Sequence, residues 1–195
     1  DINEDLLEIM AKHNNICNYV HLPLQAGSNR ILKRMNRTYT RENFIELVEK
    51  IRTFLPGVGI STDIIVGFPG ETEKDFNETL EVMREVKFDS AFTFKYSPRK
   101  GTKAVEYDEQ LGEDEKQQRL TKVIELQKLN TELKNQSYVN KVVDVLIEKK
   151  SKRNESKWAG RTDSNKWVIF NRLEFKINDI VPVLITKSKG ITLYG

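Results

Sequence analysis

The 195-residue sequence has one cysteine, two histidines and five prolines, and it has no run of eighteen apolar residues. The single thiol, Cys17, excludes an internal disulfide framework, a CxxC zinc site and a cluster ligated by cysteines of this chain alone. Without an apolar run of that length there is no membrane-spanning helix. The first fifteen residues, DINEDLLEIMAKHNN, are acidic and amphipathic, so they lack the basic start and apolar centre of a secretory signal. A cytoplasmic protein is the simplest expectation. The missing initiator Met fits part of a longer chain.

Charge of one sign is also scarce overall, with a formal net of +3, but it is unevenly placed. Residues 136–195 hold 12 Lys/Arg against 6 Asp/Glu, whereas residues 1–135 hold 20 against 23. The basic excess is densest from Lys149 to Arg161. Such a patch on a small module suits nucleic acid, and it equally suits a solvated surface.

What is present reads as alternating elements. Leu6, Leu7, Ile9 and Met10 have helical spacing, and Cys17–Gln25 is a short apolar run expected to be a buried strand. Cys17 at its start is expected to be a small buried hydrophobe. Residues 29–36 suit a short helix. Thr40 suits an N-cap for a helix burying Phe44, Leu47, Val48 and Ile51, which Pro56-Gly57 ends. The run GISTDIIV reads as a buried parallel strand, followed by a turn at Gly67–Gly70 and a helix capped by Thr72 with Asp75 in capping-box position. Ser90–Tyr96 is a third strand. Residues 113–135 lack Gly and Pro, and Leu120, Val123, Ile124 and Leu133 are expected to line one apolar face of a long helix. Beyond it, VVDVLIEKK, KWVIF, LEFKI and DIVPVLIT are short β-rich runs, which predicts a small all-β barrel.

In parallel α/β sheets, ligands bind at the carboxyl ends of the strands. Three such ends carry Gly, Pro, Ser and Thr: His21–Asn29, Ser61–Thr72 and Phe94–Thr102. His21 is either a packed residue or a ligand, and Gln25 either a backbone tie or a contact. Asp63 is more telling, because a carboxylate in so apolar a strand needs a partner, whether an internal cation or a cofactor. The GFPGE turn lacks the GK[ST] ending of a P-loop.

These loops, HLPLQAGSN, ILKRMNRTYT, STDIIVGFPGETEKDF and FTFKYSPRKGT, resemble in order and spacing the radical SAM methylthiotransferases, most closely the MiaB type that acts on tRNA. The tail, with VLIEKKSK, GRTDSNKWVIF and a final LYG, resembles the TRAM domain. The resemblance covers essentially the whole chain. It implies an α/β fold: the second half of a partial (β/α) radical SAM barrel with parallel strands over residues 1–135, then a small, OB-like all-β TRAM barrel over 136–195. The family holds two 4Fe-4S clusters, one on a three-cysteine amino-terminal domain and one on a CxxxCxxC motif. No residue here matches those cysteines, so no catalytic or metal-ligating residue is expected in this chain, and the segment alone is expected to be inactive.

By the same resemblance, Gln25, Ser28, Thr62, Asp63, Ile65, Gly67, Phe94 and Tyr96 fall where such enzymes line the S-adenosylmethionine pocket. The complete enzyme, expected to be a monomer served by an electron donor, would place a methylthio group on carbon 2 of the isopentenyl-adenosine in a tRNA anticodon stem-loop. A 5′-deoxyadenosyl radical would take the hydrogen there. Lys149, Lys152, Arg161 and Lys166 would hold phosphates. Trp158 or Trp167 would be available for stacking, with Trp167 the better candidate for core. Sibling substrates are threonylcarbamoyl-adenosine in tRNA and a ribosomal-protein aspartate. A cluster-less RNA-binding module is the reading from a different class.

Overall fold

Side-chain caps fix several helix starts in this chain. In the computed structural model, which describes residues 2–195, the order is α1 (Glu4–Lys12), β1 (Tyr19–His21), α2 (Asn29–Arg34), α3 (Arg41–Phe54), β2 (Gly59–Val66), α4 (Glu73–Val86), β3 (Ser90–Lys95) and α5 (Glu113–Gln136). Strands β4 (Val142–Ser151), β5 (Asn154–Arg161), β6 (Trp167–Asn171), β7 (Ile180–Leu184), β8 (Lys187–Lys189) and β9 (Thr192–Tyr194) follow. Ahead of α3, the Thr40 hydroxyl accepts from Asn43 N–H at 3.2 Å, while Asn43 Oδ1 accepts from Thr40 N–H at 3.3 Å. Ahead of α4, Thr72 and Asp75 form the full capping box. Each arrangement satisfies donors that a helix start otherwise leaves orphaned.

The chain divides into two compact units. One comprises His21–Thr53 and Ile60–Asn130; the other comprises the chain up to Val20, Phe54–Gly59 and Thr131–Gly195. The three-stranded sheet has the order β1-β2-β3, and within the first unit β2 and β3 run parallel with Asp63 opposite Phe92 and Ile65 opposite Phe94. Phe44, Val48 and Ile51 of α3, Ile60, Ile64 and Val66 of β2, and Phe76, Leu80, Val82 and Met83 of α4 are buried. Gly27 explains how closely the loop after β1 lies on α4. Its N–H donates to Thr79 Oγ1 at 2.9 Å, and a Cβ there would stand 2.5 Å from Thr79 Cα.

Three expectations about this region need correction. The apolar run at Cys17–Gln25 contributes only Tyr19–His21 as a strand, and Cys17 is exposed, because it lies in the bend before β1. The long helix α5 has no apolar face of the expected kind. Val123 is buried, but Leu133 is 62% exposed and Ile124 36%, while Lys116, Arg119, Gln127 and Asn130 are buried. The physical reason is hydrogen bonding. Gln127 Nε2 donates to Phe88 O at 2.9 Å and Asn130 Nδ2 to Met83 O at 2.8 Å, so polar side chains serve carbonyls at and beyond the end of α4.

In the second unit one mixed sheet runs β7-β4-β5-β6-β9-β8 and curls around a core of Val145, Ile147, Trp158, Val168, Phe170, Val181, Val183, Ile185 and Leu193. Its ladders are antiparallel except β6–β9. LEFKI forms no strand; Leu173, Phe175 and Ile177 are exposed, and the turn that follows takes the backbone, with Lys176 N–H donating to Asp179 Oδ2 at 2.9 Å. The sequence reading also lacked β5, β8 and β9. On edge strand β7, Ile180, Pro182 and Leu184 face outward, opposite Leu146, Asp144 and Val142.

Candidate functional site

In the α/β unit the candidate site is the face of the sheet that carries Ser61, Asp63 and Ile65 on β2 and Phe92 and Phe94 on β3, all on one side because strand side chains alternate. Ser61 is buried, Asp63 and Ile65 are half-buried, and Phe92 and Phe94 are exposed. His21 joins them from β1. Its Nδ1 lies 2.8 Å from Ser61 Oγ, its Nε2 3.4 Å from Asp63 Oδ2, and its ring meets Phe92 edge-on at 5.9 Å. The tautomer that satisfies all three groups puts Nε2–H toward Asp63 and lets Nδ1 accept from the Ser61 hydroxyl. Asp63 thus has a histidine as its partner. Ser61 has no exposed surface, so the arrangement orients the imidazole and offers no nucleophile.

The strand ends beside this face are held by backbone geometry. Gln25 is buried with φ +67°, a conformation that costs a side-chain-bearing residue about 1 kcal/mol or more. Its N–H donates to Asp63 O and its carbonyl accepts from Ile65 N–H, each at 2.8 Å. Gly67 has φ +71°, and a Cβ there would stand 2.4 Å from Lys116 Cγ, so α5 seals that turn against any side chain. Gly67 N–H donates to Glu71 Oε1 at 3.0 Å. Glu71 is in turn paired with Arg119, and both side chains are almost fully buried. Burial pushes the Glu71 carboxyl up, against the opposing pull of Arg119 and of the Gly67 N–H.

The expected pocket residues fall into two groups. Asp63, Ile65 and Phe94 share the open face, and Gln25 and Gly67 shape its rim. The hydroxyls of Ser28 and Thr62 and the ring of Tyr96 are committed elsewhere. Ser28 Oγ donates to Asp75 at 2.6 Å, and Thr62 Oγ1 accepts from Leu24 N–H at 2.9 Å. The Tyr96 ring packs edge-on against Phe68 at 5.1 Å. Its hydroxyl is buried without a hydrogen-bond partner, and the residue helps to line a groove of about 370 Å³ with Thr93, Phe94, Lys95 and Glu113. Phe92 was missed by the sequence reading, although it stands two residues before Phe94 and so shares its face. The open face with an orphaned tyrosine hydroxyl beside it fits an organic cofactor with polar and planar parts. An iron–sulfur cluster finds no donor set: among the described residues no group of three or more His, Cys, Asp or Glu could hold a metal.

The β unit rearranges the expected nucleic-acid residues. Lys149 and Arg161 are exposed and converge on Trp167, at 4.5 Å and 5.3 Å from its ring centroid. Arg161 is held by Glu148 at 2.5 Å and by Asn165 Oδ1 at 2.8 Å. Lys152 is exposed in the β4–β5 turn, most of the length of β5 away from Arg161. Lys166 is buried, with its ammonium 5.9 Å from the Tyr138 ring centroid, and so lies inside and not at the surface. The two tryptophans exchange their expected places: Trp158 is in the core and Trp167 is half-exposed.

The family model of the radical SAM superfamily matches residues 1–83, and that of the TRAM domain matches residues 136–195. The chain is 49% identical over 195 residues to a Clostridium tetani protein named tRNA-2-methylthio-N(6)-dimethylallyladenosine synthase, covering all of this chain and 43% of that protein. A Carboxydothermus hydrogenoformans protein of the same name is 50% identical over 196 residues, with 44% of it covered. The chain therefore spans less than half the length of these relatives. Among solved structures, coproporphyrinogen III oxidase (HemN) from Escherichia coli, described as a radical SAM enzyme, matches 84% of this chain and 44% of its own at TM-score 0.55 and 14% identity, a likeness of fold. Among the described residues, no helix is long and apolar enough to cross a membrane.

Proposed function

The chain carries radical SAM sequence over residues 1–83 and a TRAM domain over residues 136–195, and from that premise we propose that it is the carboxyl-terminal part of a tRNA methylthiotransferase. The domain boundary in this reading falls at 135/136. The reaction places a methylthio group on carbon 2 of an N6-dimethylallyl-adenosine beside the anticodon. The observation that carries the reading is the match over the whole chain at about half identity to proteins of that name.

The half-buried face of the parallel sheet and its strand ends would hold S-adenosylmethionine, with Asp63, Ile65 and Phe94 on its wall and Gln25 and Gly67 at its rim. When bound, this cofactor supplies the radical chemistry and the methyl group. The chain's own residues bind and orient. His21, with both ring nitrogens taken up by Ser61 and Asp63, fixes the Asp63 carboxylate on that face, and the exposed rings of Phe92 and Phe94 offer it an apolar, planar surface. The Glu71–Arg119 pair keeps the Gly67 turn in one conformation. The two 4Fe-4S clusters would be held by the part of the protein that precedes these residues, a separate electron donor would reduce them, and the complete enzyme would act as a monomer in the cytoplasm.

Nucleoside analysis tests the proposal. The complete protein is incubated with reductant, S-adenosylmethionine and tRNA bearing N6-dimethylallyl-adenosine. The 2-methylthio nucleoside is the expected product. Modification only of threonylcarbamoyl-adenosine, or only of a ribosomal-protein aspartate, would assign the chain to a sibling.

A further inference from the structure

Two phenylalanines on one open face are more aromatic surface than a single planar cofactor group covers. Phe92 is 57% exposed and Phe94 51%, and both stand on the side of β3 that faces the same way as Asp63 and Ile65 on β2. Positions two apart on a strand lie about 7 Å from each other, so a planar group stacked on one ring leaves the other free. Phe94 stands opposite Ile65, one residue before the end of β3. Phe92 stands opposite Asp63 and packs edge-on with His21. The order β1-β2-β3 puts β3 at the end of its sheet, so among the described residues no strand follows beside these rings. The one cation of β3, Lys95, has the other parity, and its ammonium pairs with Glu113 at 3.2 Å.

Building on the methylthiotransferase reading above, we infer that Phe92, with Phe94 beside it, receives the dimethylallyl group of the target adenosine and selects for it. That group is branched, apolar and uncharged, so it gains by leaving water against an exposed ring. The sibling substrates fail on charge. Threonylcarbamoyl-adenosine and an aspartate each bring a carboxylate, which would arrive beside the Asp63 carboxylate with no cation of β3 to meet it. His21 is already engaged by Ser61 and Asp63. The ring thus attracts one substrate class while the acid opposite it excludes the others. Position divides the face in the same way. β2 lies inside the sheet, where a small cofactor can lie over Asp63 and Ile65, and β3 lies at its edge, where a nucleotide still joined to its RNA can reach.

The test measures binding to the complete protein without reductant, so that nothing turns over. Two anticodon stem-loop RNAs are compared, identical except for adenosine or N6-dimethylallyl-adenosine at the target position. The parent protein should favour the prenylated loop roughly 10- to 100-fold. Phe92→Ala should remove most of that preference, with a smaller loss of S-adenosylmethionine affinity and little change on the plain loop. Phe92→Leu, which keeps an apolar side chain, should retain part of the preference. Phe92→Trp reports the contact directly and does not depend on the alanine variant folding. The emission it adds to the parent's should shift to the blue with the prenylated loop and not with the plain one. An unshifted emission overturns the inference, as does a parent that binds both loops equally. Loss of cofactor affinity with the preference intact overturns it too, because the ring then serves the cofactor alone. So do equal losses on both loops, because the ring then only packs. If nucleoside analysis gives the 2-methylthio dimethylallyl product while the preference survives Phe92→Ala, the inference falls and the proposed function stands. A product made only from threonylcarbamoyl-adenosine or from a ribosomal-protein aspartate overturns both.

Discussion

Helices α4 and α5 pack in the same unit by opposite means. α4 buries Phe76, Leu80, Val82, Met83 and Val86, while the Glu113–Asn130 stretch of α5 buries Lys116, Arg119, Gln127 and Asn130 around a single buried valine. The first is held by area removed from water, which is insensitive to exact geometry. The second is held by directed bonds to Glu71, to Phe88 O and to Met83 O, which lose most of their worth if a partner moves. A helix held by bonds specifies position better than it adds stability. It is this helix that closes on Gly67.

The contrast can be broken at several points. Arg119→Met strands the Glu71 carboxylate in the interior and should cost about 3–5 kcal/mol in denaturant unfolding, with Arg119→Met/Glu71→Leu recovering much of it. Phe76→Ala on α4 should cost a similar 3–5 kcal/mol through the cavity it leaves, with no such recovery from any polar partner. If the double change at positions 71 and 119 is as damaging as the single, α5 is held by packing after all. Asn130→Ala should cost roughly 1–3 kcal/mol by the same measurement, since a buried hydrogen bond to the end of α4 is lost.

The two buried carboxylates also diverge with pH. Asp75 lies well below the usual range because hydrogen bonds from Arg30, Ser28 and Thr72 outweigh its burial, and Glu71 lies above it because burial dominates. Asp75 therefore contributes stability above its unfolded value near 4, lost as pH falls toward its lowered folded value. Glu71 has the reverse sign: its contribution is present below its unfolded value and is lost as pH rises through the folded one. Thermal scans at descending pH should show wild type converging on Asp75→Asn and pulling ahead of Glu71→Gln less at neutral pH than in acid. The smallest expected effect is Thr72→Ala at the α4 cap, about 1 kcal/mol.

Local signals were legible in the sequence. Thr40, Thr72 with Asp75, and the β2 run all depend on neighbours within a few residues, and each appears in the structure as read. The chemistry of α5 was not legible, because its partners are carbonyls some forty residues away in sequence. The tryptophans show a subtler limit. In KWVIF both parities are apolar, so alternation alone leaves open which side is core. Lys166 shares parity with Val168 and Phe170, and its burial followed from theirs once the inner side was known. On the open face of the parallel sheet the same rule links Asp63 with Ile65, and Phe92 with Phe94. Thr62 has the other parity, which is why its hydroxyl serves Leu24 and does not face the site.

Strand β7 ends the curled sheet with Ile180 and Leu184 turned outward next to Val142 and Leu146, an apolar ribbon beside an unpaired edge. Pro182 sits in the middle of it. Lacking an N–H, it leaves a gap in the row of donors that an incoming strand would need. In handling terms, this ring works against edge-to-edge growth in concentrated protein. Pro182→Val, harmless to the core, should lower the concentration at which the protein begins to scatter light.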